Sequence, residues 1–264
     1  MIVTAVLDES GTHGSETMLI TGWLAKAGQW REFEKQSRAL FDHYGFMVFH
    51  AKEWRDSDGE FKGWSVNKKI RFLDDFGDIA NRELEAGFNA VLKISDYKKY
   101  YANNERPRKL QIDTAYGVCF RAILHMSSQF AAFHQSPEWP ARKQRHLNII
   151  LEQGAKNAGD AMRIFDDFKA ELLPEYKGLV GTFTTKTKEE CLPLAASDII
   201  AYGTFRAEEG IKATWKFESE LKMSKSYSKN FFRLGIEKEA LVSLKEDLMR
   251  IDAKRARRGA KSLG

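Results

Sequence analysis

Three carboxylates in this chain stand where a carboxylate is costly. Asp8 follows the apolar, β-branched run IVTAVL and is itself followed by Glu9. Glu152 closes the run LNIIL, and Asp198 lies inside PLAASDIIAYG, flanked by Ala195, Ala196, Ile199, Ile200 and Ala201. An unpaired charge among apolar residues is expensive, so groups in such settings need a partner. A divalent cation lets several carboxylates converge, and hard ions such as Mg²⁺ or Mn²⁺ take oxygen ligands while keeping waters for chemistry. Taken singly, each acid has an ordinary explanation: a strand-end residue opening a turn, a helix cap, or, for Asp198, a pair with Arg206. Taken together, they point to a shared site, which a separation beyond ~10 Å would exclude.

The elements that must carry these residues alternate along the chain. Strand character is expected at 2–8, 17–25, 46–50, 86–95, 146–153 and 178–187, from apolar and β-branched runs bounded by turn residues. Helical spacing is expected at 29–43, at 65–84 behind the cap-type Ser65, and at 113–133, 158–171 and 193–209. A charged amphipathic helix follows at about 230–258. Such alternation predicts an α/β fold with a mixed sheet flanked by helices. No repeat, low-complexity tract or Pro/Gly/Ser linker divides the chain. The expected organisation is one α/β domain over 1–229, then a charged helix and basic tail over 230–264.

Composition narrows the function classes. The 264 residues are 43% hydrophobic and 12% aromatic, enough for a substantial core. No apolar run approaches the ~18–20 residues of a membrane-spanning helix, and MIVTAVLDES lacks the basic start of a secretory signal. Cys119 and Cys191 fit neither a disulfide framework nor a zinc site, so a reducing cytoplasm is expected. The net charge of +5 invites a nucleic-acid partner. Yet residues 253–264 hold five basic residues and no acid, and the other 252 balance at 37 against 37. The excess is a tail. Segments 93–111 and 215–233 mix Lys and Arg with aromatics, a composition suited both to tracking phosphates and stacking bases and to a solvated loop.

Other motifs fall away. DSDGEFKG (56–63) opens like a calcium loop but lacks the Asp at its fifth position and the closing Glu. Cys119 sits on an apolar helix stripe as a core residue would, and Cys191 has no visible base. No nucleophile elbow, phosphate-binding loop or dinucleotide fingerprint occurs.

The opening VLDESGTHG, FHAKEW (49–54), NIILEQG and PLAASDIIAY together resemble a bacterial family catalogued as domain of unknown function 3800. That family in turn resembles the ribonuclease H-like superfamily of ribonucleases H, Holliday-junction resolvases and transposase cores. The likeness runs over residues 2–210 in order of elements. It implies that Asp8 is the first-strand acid bridging two metal ions, Glu152 the acid ending the fourth strand, and Asp198 the acid of a late core helix. Glu9 and His50 lie in segments matching the smaller family alone. The stretch 50–145 exceeds a minimal fold and implies an insertion before the late strand, and Glu152 follows five candidate strands where the superfamily has four.

Two functions follow. One is a nuclease using two Mg²⁺ or Mn²⁺ ions to cleave phosphodiester bonds in DNA or RNA, with His50 or Lys186 assisting at the phosphate or as proton carrier. His50 and His13 also suit structural or solvent-exposed roles. The other is a non-catalytic protein on the same fold that binds nucleic acid or protein. Thermal stability with and without Mn²⁺ separates them, because a carboxylate cluster relieved by metal gains stability from it.

Overall fold

The computed structural model describes residues 1–11, 14–103, 112–133, 145–154, 158–172, 176, 178–210 and 231–261. Six strands are β1 (Ile2–Ser10), β2 (Thr17–Lys26), β3 (Ala86–Lys93), β4 (His146–Glu152), β5 (Val180–Lys186) and β6 (Phe231–Gly235). They form one sheet in the order β5-β4-β1-β2-β3-β6. β2 runs antiparallel to both its neighbours, and every other adjacent pair is parallel. The expected mixed α/β sheet is therefore present. The turn from β1 to β2 needs Gly11, whose φ is +89° and whose missing Cβ would lie 1.9 Å from the Thr17 carbonyl oxygen.

Helices cover both faces: α1 (Ala27–Tyr44), α2 (Ala51–Asp56), α3 (Val66–Glu83), α4 (Ile94–Asp96), α5 (Ala115–Phe133), α6 (Ala158–Glu171), α7 (Leu194–Glu208) and α8 (Lys238–Lys261). Side chains alternate along a strand, so β1 serves two cores. Val3, Ala5 and Leu7 join a cluster containing residues of α5, α6 and α8. Val6 joins a second cluster with α1, α3 and α7. Ser65 caps α3 as its residue type predicts, its hydroxyl accepting from the Lys68 amide at 3.2 Å.

Two sequence expectations need correction. Residues 46–50 form no strand. Phe46 and Phe49 instead plug an aromatic cluster with Phe41, Phe61, Phe72 and Phe76. The Met47 and Val48 amides are taken by the Glu60 carboxylate at 2.8 and 3.2 Å rather than by a sheet neighbour. The aromatic content that reads as strand is core packing. Conversely, a strand at 231–235 pairs with β3, and Ile236 and Leu241 beyond it are buried. Residues 50–145 contribute α2, α3, β3, α4 and α5, which build the sheet and its two helical layers. Among the described residues, no helix is long and apolar enough to cross a membrane.

Candidate functional site

β1 and β4 lie side by side and parallel, with Val6 opposite Ile150 and Leu7 opposite Leu151. One step further along each strand come Asp8 and Glu152. Their side chains emerge on the face that carries Val6 and Ile150, the face covered by α7. α7 is pinned over it: the Ser197 hydroxyl donates to the Val6 carbonyl at 2.8 Å, and the Trp23 indole N–H donates to the Ala196 carbonyl at 3.2 Å. The next residue is Asp198. An acid from the first strand, one from the fourth and one from a late helix thus share one end of the sheet. With 46–50 no longer a strand, Glu152 does end the fourth.

The three meet at one atom, the Lys188 Nζ. It lies 2.9 Å from Asp198 Oδ2, 3.1 Å from Glu152 Oε1 and 3.7 Å from Asp8 Oδ2. Asp198 is paired, but with Lys188 rather than with Arg206, which packs over the Tyr202 ring. Its Oδ2 also accepts from the Ala51 amide at 2.8 Å, at the start of α2. Sequence reasoning missed Lys188. It sits in the charged run TKTKEE, with no local feature to separate it from Lys186. The only signal was indirect: three acids requiring a cation.

Burial controls the electrostatics. It raises Asp8 well above the usual carboxylate range; Lys188 opposes this, while a hydrogen bond shared with Glu152 and the charges of Asp198 and Glu152 reinforce it. Burial pushes Glu152 the same way, but the bond from Asp8, the Lys188 ammonium and His50 outweigh it and hold Glu152 low. Asp8 Oδ2 is buried with no hydrogen-bond donor among the described residues. Lys188 is raised: burial disfavours its charge, and the three acids more than restore it.

The remaining sequence candidates scatter around this centre. Glu9 projects to the opposite face of the sheet, against Tyr116 of α5, where burial first, then repulsion from Glu152, lift it to about 7 against the opposing hydroxyl. His50 precedes α2 and lies near enough to Glu152 and Glu189 to favour their ionised forms. Lys186 stands opposite Glu152 across the β4–β5 ladder and pairs with Glu190 at 3.9 Å. His13 and most of 215–233 lie outside the described residues. In the calcium-like segment the acids serve other groups: Asp58 caps the Gly59 amide, Asp56 pairs with Arg55, and Glu60 holds the Met47 and Val48 amides. Cys119 is buried, with its thiol 3.7 Å from the Met18 carbonyl.

All-carboxylate donors suit a hard divalent cation rather than zinc. The donor set fits, because three acids from separate elements already enclose a cation and one oxygen lacks a donor. Their present spacing is that of an ammonium: among the described residues, no group of three or more His, Cys, Asp or Glu stands in metal-holding geometry. Mg²⁺–oxygen distances are about 2.0–2.1 Å, so ligation requires the Asp198 and Glu152 oxygens to close in by about 1 Å and Asp8 Oδ2 by about 1.6 Å. No protein-family model and no curated protein matches the chain.

Proposed function

We propose that this chain is a metal-dependent nuclease of ribonuclease H-like fold, cleaving phosphodiester bonds of DNA or RNA. The observation that carries the reading is the convergence of Asp8, Glu152 and Asp198 on one cation position. It is supported by their places on the first strand, the fourth strand and a late helix, where the resemblance expects them. Asp8, Glu152 and Asp198 would hold two Mg²⁺ or Mn²⁺ ions, which supply an activated water and stabilise the leaving oxygen. The chain's own groups prepare the site. The Ala51 amide fixes Asp198 Oδ2, and Ser197 and Trp23 hold α7 at its height above the sheet. His50, whose charge favours the ionised form of Glu152, or Lys186, opposite Glu152 across the β4–β5 ladder, would assist at the phosphate or carry a proton. The cytoplasm suits this reading, since Cys119 and Cys191 are free and buried.

Wild-type protein is expected to cleave oligonucleotides only with Mg²⁺ or Mn²⁺. Asp8→Asn and Glu152→Gln should each lower the rate by more than about a hundredfold, beyond the 10–100-fold loss typical of outer-shell partners, with circular dichroism unchanged. Mn²⁺ should raise the wild-type Tm and not that of the variants. Undiminished cleavage in both variants rejects the assignment. A second reading has its own observation: Lys188 already satisfies the three acids. On that reading the cluster is structural and the protein binds nucleic acid or protein without chemistry, and Mn²⁺ leaves Tm unmoved.

A further inference from the structure

Lys188 does more than fill space among acids. Its backbone is fixed on both sides. The Gln153 amide donates to the Lys186 carbonyl at 2.8 Å, and the Cys191 amide donates to the Thr187 carbonyl at 3.0 Å. Thr187 and Glu190 bond each other through side chain and backbone, and Cys191 and Leu192 are buried. Any rearrangement at this position therefore belongs to the lysine side chain, a flexible four-carbon stem bearing a point charge.

That stem has two places to lie. One is the present one, with Nζ on the three carboxylates and the side chain 10% exposed. The other is a cavity of about 120 Å³ directly beside it, walled by Lys188 itself with Phe49, Leu192, Ala195, Arg38 and Glu189. Its apolar wall suits methylenes, and Glu189 offers a carboxylate to a relocated ammonium, offsetting the like charge of Arg38. A divalent cation and the Lys188 ammonium cannot share the carboxylate position, because both need the same oxygens at short range.

We propose that Lys188 is an exchangeable internal counter-ion: it holds Asp8, Glu152 and Asp198 together without metal and withdraws into the adjoining cavity when a divalent cation binds. This rests on the metal-centre reading and adds a competitor to it. The consequence is a built-in cost to metal binding, since apparent affinity is the intrinsic affinity multiplied by the fraction of molecules whose lysine is already withdrawn.

Mn²⁺ titration calorimetry and thermal melts on the full chain test it. Lys188→Met removes the competitor and keeps an unbranched stem. It should bind Mn²⁺ about tenfold more tightly than wild type, as for a lysine seated on the carboxylates in about nine molecules of ten. It should also melt lower than wild type without metal and recover with Mn²⁺. Lys188→Arg keeps the charge in a planar fork that can take two carboxylates at once and so holds the site more firmly, and should bind Mn²⁺ more weakly than wild type. Should Lys188→Met fail to fold even with Mn²⁺, the Lys188→Arg comparison alone decides. Equal Mn²⁺ affinity in the proteins that fold overturns the exchange and leaves the metal centre standing. Mn²⁺ binding to none of them overturns both.

Discussion

Asp8 and Glu9 are adjacent in the chain and answer to different surroundings. Asp8 belongs to the carboxylate centre, whereas Glu9 is buried on the far face of the sheet beside Tyr116 and titrates at about 7. An unfolded glutamate titrates near 4.3. Between that value and about 7 the folded chain binds the extra proton, so stability falls as pH rises through this window and levels off above it. Glu9→Gln mimics the protonated form and should remove that part of the fall. Melting temperatures across the window check this: the variant should gain on wild type as pH rises, with Asp8 contributing equally to both. Parallel curves would show that Glu9 does not carry the proton.

At the scale of elements, the site depends on a loop that makes no strand. Phe49 is 1% exposed and stacks on Phe72 at 5.4 Å, and two residues later the Ala51 amide reaches Asp198. The aromatic plug thus sets where α2 begins and where Asp198 finds its donor. Phe49→Ala should cost about 3–5 kcal/mol in urea unfolding, the range for emptying a buried phenyl position. In the folded fraction, Mn²⁺ affinity should also fall. Unaltered Mn²⁺ affinity would mean that Asp198 is placed by α7 alone. The 46–50 segment misleads at sequence level for a physical reason: buried aromatics signal burial equally in a strand or a packed loop, and only the long-range bonds from Glu60 separate the two. β6 fails oppositely. Its five residues, FFRLG, are exposed at four positions and run into the charged helical pattern that follows, so Phe231, Phe232 and Leu234 read as part of that helix.

For the whole molecule, charge and site divide cleanly. The five cations of residues 253–264 make up the entire excess, far along the chain from Asp8, Glu152 and Asp198. Deleting those residues should leave Mn²⁺ binding intact. If the tail contacts phosphates, the deletion should flatten the salt dependence of nucleic-acid affinity by up to about four in log–log slope, at roughly 0.7–0.9 per contact. An unchanged slope would assign that affinity to the sheet domain.

What the sequence by itself determined is local. Apolar runs and cap residues located β1, β2, β4, α3 and α7, and the expense of a carboxylate inside such runs singled out Asp8, Glu152 and Asp198 before any contact was known. Both depend on neighbours a few residues away, which a sequence displays directly. The tertiary structure alone decided that the three acids meet, that Glu9 turns away from them, and that the cation between them is Lys188. Those outcomes depend on strand register, on the two-residue alternation of a pleat and on a turn that returns β5 to α7. The chain separates Asp8 from Lys188 by the length of most of a domain, and only folding measures that distance in ångströms.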